Sequence, residues 1–151
     1  MIAVVGYGNY LRKDDGIGLW LGSRLRLKFK QKVRVYLLHQ LVPEIVEELK
    51  EADHIIFIDA SSSNEEWSLR RLSLGEEEFQ PPLNCDFHTF YPEELAYLLK
   101  RLYGKKPEIW ILSVKGENFS FGAGLSLNAR RLAKEAENLL EGLIRVKLKD
   151  A

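Results

Sequence analysis

The sequence has one cysteine, Cys85, no excess charge of either sign and no long apolar run. A single thiol excludes an intrachain disulfide framework and a multi-cysteine zinc site, and it suits a reducing compartment. The 22 Lys and Arg residues are balanced by 22 Asp and Glu. No overall field therefore draws the protein to nucleic acid or to a membrane, and recognition must be local. No stretch approaches the roughly 20 consecutive apolar residues of a membrane span, and the first residues are strand-like rather than a basic leader with an apolar segment. A cytoplasmic protein is expected, with neither nucleic acid nor membrane as partner. At 151 residues the chain is expected to form one domain over 1–151, able to bury about two-thirds of its unfolded surface.

What is present is an alternation of short apolar runs and helical patterns. Ile2 to Val5, ended by Gly6, Val33 to Leu38 and Ile55 to Ile58 are rich in branched residues and read as buried strands. Between them Ile17, Trp20, Leu21 and Leu25 fall at helical spacing, as do Ile45, Val46 and Leu49. That order, strand–helix–strand–helix–strand, is a parallel α/β pattern. The segment EEWSLRRLSL alternates imperfectly and reads as an antiparallel or edge strand, and PPLNCDFHTF as a loop. Pro92 to Leu102 forms another helix, IWILSV from Ile109 a further strand, and Ser126 caps the last helix. The fold class expected is α/β, a three-layer α/β/α sandwich around a five-stranded mixed, mostly parallel sheet. No internal repeat or linker divides it.

Directly after the first run stands GYGNYLRKDDGIG, residues 6 to 18. A glycine-rich turn between strand and helix suggests a phosphate cradle, but the pattern fits poorly. Leu11 stands where the dinucleotide motif needs glycine, and the following RLRLKFKQKVR has no acid for a ribose. The triphosphate loop needs Gly-Lys-Ser/Thr, whereas Gly8 is followed by Asn9 and Tyr10. Asp14 and Asp15 would repel a phosphate. Acids at this junction suit a helix cap or a cation.

In such a sheet, parallel strands deliver their C-terminal ends to one edge, where ligands bind. Asp14 and Asp15 follow the first strand, Asp59 ends the third in FIDAS, and His88 lies in the loop leading back to a helix. Two carboxylates and an imidazole form an O,O,N set suited to a borderline divalent ion such as nickel or zinc, with positions left open for substrate or water. Each residue has a plainer reading: an acid at a helix start is more often a cap, and an Asp ending a strand is often an anchor. Two acids in a row leave one spare once a cap is filled. His39 and His54 read as ordinary surface or structural residues. Cys85 and His88 stand three apart, but Asp86 opposes a reactive thiolate there. The basic run from Arg24 to Arg34 reads as the solvated end of a helix, Ser61 to Ser63 as a strand-end turn, and FSFGAGLS as either a plain turn with a cap or a rim of the site.

These residues resemble the hydrogenase maturation proteases, endopeptidases that trim the large subunit of nickel–iron hydrogenases. GYGNYLRKDDGIG is similar to the family's opening signature, Gly-x-Gly-Asn-x-Leu-x-x-Asp-Asp/Glu-Gly-x-Gly, at every specified position. HQLVPEIVEELKEADHIIFIDAS resembles its second block, FHTF with PEELAYLLKRLYG its histidine block, and FGAGLS its closing segment. His39-Gln40-Leu41 looks most like members serving bidirectional, nucleotide-reducing hydrogenases. The resemblance implies that Asp15, Asp59 and His88 are the metal-contacting and catalytic positions, with Asp14 supporting the turn and helix start. It further implies an endopeptidase that removes a short C-terminal peptide from the nickel-loaded precursor of the large subunit. Nickel would arrive in the substrate, with zinc or another divalent ion as an option for the free protein, and a monomer is expected. The alternative is a non-catalytic maturation chaperone that binds nickel or the precursor.

Overall fold

A computed structural model describes residues 1–73 and 90–150. Its five strands are β1 (Ile2–Tyr7), β2 (Val33–Leu38), β3 (His54–Ser61), β4 (Trp67–Arg71) and β5 (Glu108–Lys115). The helices are α1 (Ile17–Phe29), α2 (Ile45–Leu49), α3 (Pro92–Tyr103) and α4 (Leu127–Lys149), with a 3-10 turn, Lys13–Gly16, before α1. The sheet order is β2-β1-β3-β5-β4. The first four neighbours pair in parallel and β4 pairs antiparallel to β5. The expected mixed, mostly parallel five-stranded sheet is thus the observed one, with Trp67–Arg71 of the expected segment supplying the antiparallel edge strand.

Strand alternation sorts the core into two layers. Ile2 and Val4 of β1, Ile56 and Ile58 of β3, and Leu112 and Val114 of β5 pack against α1 and α4. Ala3 and Val5, Ile55 and Phe57, and Ile109 and Ile111 face α2 and α3 on the other side. Covering both faces is what makes these strands read as continuous apolar runs rather than as alternations. Each fully buried Leu, Ile or Phe contributes about 1.5–3 kcal/mol over an exposed one, and Leu21, Leu25, Phe57, Leu99 and Leu132 are among those buried completely.

The helix ends follow local chemistry. Pro92 opens α3, where its missing N–H costs nothing, and Gly104 closes it in the left-handed region at φ 66. The Ser126 hydroxyl accepts from Ala129 N at 3.2 Å to cap α4. One boundary departs from expectation. β1 continues through Gly6 to Tyr7, because Gly6 keeps its place in the ladder, paired with Leu37 on one side and Ile58 on the other. That extension carries Tyr7 to the wall of a cleft. Among the described residues no helix is long and apolar enough to cross a membrane.

Candidate active site

The sheet order reverses between β1 and β3, since β1 runs through α1 to β2 on one side while β2 runs through α2 to β3 on the other. Loops leaving such a point part from each other and open a crevice at the strands' C-terminal ends. A cleft of ≈ 270 Å³ lies there, lined by Tyr7, Asn9, Arg12, Asp15, His39 and Asp59 among others. Asp15 and Asp59, 44 positions apart in the chain, are both on its wall.

The glycine-rich segment shapes that wall. Gly8 has φ 147, and a Cβ there would sit 2.0 Å from the carbonyl oxygen of Asp15, so a side chain is excluded on two grounds. Gly18 lets the start of α1 close over the ends of two strands, with a Cβ there falling 2.5 Å from Ile58 O and 2.7 Å from Tyr7 O. Asn9 folds the turn, its Oδ1 accepting from Leu11 N at 3.0 Å and its own N–H donating to Asp15 Oδ2 at 2.7 Å. One oxygen of Asp15 is thereby fixed to the backbone.

The two adjacent acids have separate fates. Asp14 is fully buried. It caps neither its own turn nor α1, both of which lack a side-chain cap. Its Oδ2 instead accepts from Glu117 N at 2.8 Å, Asn118 N at 3.0 Å and Ser126 Oγ at 2.8 Å, and its Oδ1 from Ser126 N at 2.7 Å. The expectation that Asp14 supports the local helix start is corrected: it holds the loop before α4, a partner over 100 residues away. Burial by itself would raise its pKa, but the donors of Ser126, Glu117 and Asn118 outweigh that and hold it below the ordinary value. The FSFGAGLS segment is tied to the same place, with Lys13 N donating to Gly122 O at 3.0 Å.

Asp59 ends the buried part of β3, and burial raises its carboxyl to about 6. The Ala60 N–H and the Tyr7 hydroxyl oppose the rise, while the neighbouring Asp15 carboxylate adds to it. The Tyr7 phenol is held well above its ordinary pKa, by burial first and by Asp59 second. Two carboxylates close enough to feel each other on an open cleft are a donor pair for a divalent cation, and hard-to-borderline oxygen donors fit nickel or zinc as two members of a larger set. Among the described residues no group of three His, Cys, Asp or Glu side chains is placed to hold a metal ion.

Of the three residues expected at the site, the structure brings Asp15 and Asp59 together, and His88 lies outside the described residues, as does Cys85. His54, at the opposite end of β3, has Nδ1 3.0 Å from Glu108 Oε2 and plays no part in the cleft. Two cleft residues escaped the sequence reading. His39, set aside as a surface residue, directly follows β2 and lines the cleft. Tyr7 lies beyond Val5, the end of the expected run, on the part of β1 that continues through Gly6. The rule that placed Asp59, a position at the C-terminal end of a parallel strand, applies equally to both.

An α/β/α sandwich with its cleft at the β1/β3 reversal is the class that fold and site define. Within it, the chain is similar to the hydrogenase maturating endopeptidase HybD from E. coli, with a TM-score of 0.75 at 21% identity over 97% of this chain and 93% of that one. It is similar also to the [NiFe] hydrogenase maturation protease HybD from Thermococcus kodakarensis, with a TM-score of 0.64 at 24% identity over 95% and 98%. A protein from Wolinella succinogenes matches at 27% identity, TM-score 0.61, over 94% of each chain. These likenesses establish the shared fold. No protein-family model matches the sequence, and no curated protein matches it.

Proposed function

We propose that this protein is a hydrogenase maturation endopeptidase, which removes a short C-terminal peptide from the nickel-loaded precursor of a nickel–iron hydrogenase large subunit. The observation that carries the reading is the meeting of Asp15 and Asp59 on one open cleft of a fold shared with proteins named for that activity. The opening signature, matched at every specified position, supports it.

In this reading Asp15, Asp59 and His88 face the nickel centre of the precursor. Nickel is part of the substrate, and its presence marks a precursor ready for cutting; zinc or another divalent ion is a substitute in the free protein. The carboxylates orient the precursor so that the peptide bond beyond its metal-binding residues lies beside a water. A carboxylate takes a proton as that water adds to the carbonyl, the C–N bond breaks, and the proton passes to the leaving amine. The metal supplies Lewis acidity toward the carbonyl or the water. The Asn9 N–H holds one oxygen of Asp15 in place. The protein acts in the cytoplasm as a monomer, meeting its precursor transiently.

The test is the intact mass of a large-subunit precursor after incubation with the protein, in nickel-loaded and nickel-free forms. Loss of a short C-terminal peptide from the loaded form alone is expected. Asp15→Asn should abolish that loss while leaving the unfolding temperature unchanged. A confirmed nickel-loaded precursor left uncut, but bound, would point to the non-catalytic chaperone instead.

A further inference from the structure

Among the polar side chains of the cleft that the signature does not specify is the phenol of Tyr7. Alternation along β1 sends Ala3, Val5 and Tyr7 to the α2–α3 side, and alternation along β3 sends Ile55, Phe57 and Asp59 to the same side. The parallel register sets Val5 beside Phe57 and Gly6 beside Ile58. One step further along, Tyr7 and Asp59 are therefore neighbours on one face, and both line the cleft, which sets the phenol beside the Asp59 carboxylate. The ring packs against the apolar layer below and is half-buried, so packing sets where the hydroxyl stands. Arg70 and Glu93, themselves paired at 3.1 Å, are the other charges near the phenol.

We propose that Tyr7 is a positioning residue for the reaction, its hydroxyl fixing the rotation of the Asp59 carboxylate so that an unoccupied oxygen faces Asp15 and the substrate across the cleft. The proposal rests on the endopeptidase reading above. Its physical basis is that a ligand or base carboxylate must be held within a narrow angular range, and partners behind such a group commonly matter by about 10–100-fold in affinity or activity. Asp15 has the matching arrangement in another form, with one oxygen fixed by the backbone N–H of Asn9 at 2.7 Å. Each carboxylate is thus held by a donor from the β1 end, one from main chain and one from a side chain. Tyr7 is the member of this support that a single substitution can remove.

Tyr7→Phe deletes the hydroxyl and keeps the packed ring. Steady-state processing of a nickel-loaded precursor by the full-length wild type, Tyr7→Phe and Asp15→Asn, with thermal unfolding of each, tests the role. The expected result is a kcat for Tyr7→Phe at least about tenfold below wild type, with KM changed less than about twofold and the unfolding temperature retained. A purely structural hydroxyl would instead lower the unfolding temperature and leave kcat of the folded fraction intact, which would overturn the proposal. Wild-type kcat in the variant, or a loss confined to KM, would overturn it too while leaving the endopeptidase reading standing. Failure of the wild type to cut a confirmed nickel-loaded precursor would overturn that reading and the role of Tyr7 together. Should Tyr7→Phe not fold, Tyr7→Trp and Tyr7→Leu give the same comparison on any that does, and normal kcat in either counts against the proposal.

Discussion

Asp14 and Asp15 adjoin in the chain and differ in every physical respect. Asp14 spends its charge on four internal donors; Asp15 keeps one oxygen for the cleft. Asp59 sits between these cases, a carboxylate that folding has partly desolvated. Its folded pKa of about 6 lies above the ordinary value of about 3.9, so the folded state holds this proton more tightly than the unfolded chain. The associated stability is complete below the unfolded value and is lost as pH rises through the folded one. In chelator-treated protein, Asp59→Asn should therefore be more stable than wild type at about pH 8, by on the order of 1–2 kcal/mol, and the gap should close near pH 4. Urea denaturation at the two pH values checks this, and a gap of the same size at both would refute the assignment. Under the endopeptidase reading, a carboxylate that costs stability is the usual compromise at active sites.

At the scale of elements, two acids fasten α4. Glu137, 3% exposed, receives Arg24 Nε at 2.5 Å and Lys28 Nζ at 3.2 Å from α1. Burial alone would raise its pKa, but Arg24 and then Lys28 outweigh that and lower it. A depressed folded pKa means stability that is present above the ordinary Glu value and lost as pH falls through the folded one. Glu137→Gln should cost about 3 kcal/mol near pH 7 and clearly less below about pH 4, measured by denaturant unfolding. Asp14 fastens the other end. Removing its carboxylate in Asp14→Ala leaves three part-buried N–H groups and the Ser126 hydroxyl without their acceptor, and about 2 kcal/mol or more should be lost. Hydrogen exchange gives the sharper reading: the amides of Glu117, Asn118 and Ser126 should lose protection while the centre of α4 keeps it.

At the scale of the whole molecule, the cleft is an assembly of chain segments around residues 7–15, 39–41 and 59 that the sheet order brings to one edge. The imidazole of the expected ligand set has two candidates, His88 from the sequence signature and His39 from the cleft wall. Under the endopeptidase reading, His88→Gln should lower precursor processing by at least about 100-fold with the unfolding temperature unchanged, and His39→Gln by less than about tenfold. The reverse order would transfer the role to His39. The molecule's balanced charge fits partner recognition confined to this edge, since no broad field competes with it.

Much of this was written in the chain itself. Apolar runs buried on both faces, helical spacing between them and turn chemistry at their ends depend on neighbours in sequence, so the order of strands and helices, the antiparallel edge within 65–74 and the Ser126 cap were legible in advance. Asp59 was legible too, because the end of a buried parallel strand is an address in the fold. The partners of Asp14 were not, since nothing local distinguishes a carboxylate that caps its own helix from one that anchors a loop at 117–126. Nor was the placing of Tyr7 beside Asp59, which needs both the extension of β1 and the register of β1 against β3. Local pattern determined which elements form and which strand ends could carry chemistry; the tertiary structure decided which side chains meet there, because register and sheet order are fixed by packing between segments far apart in the chain.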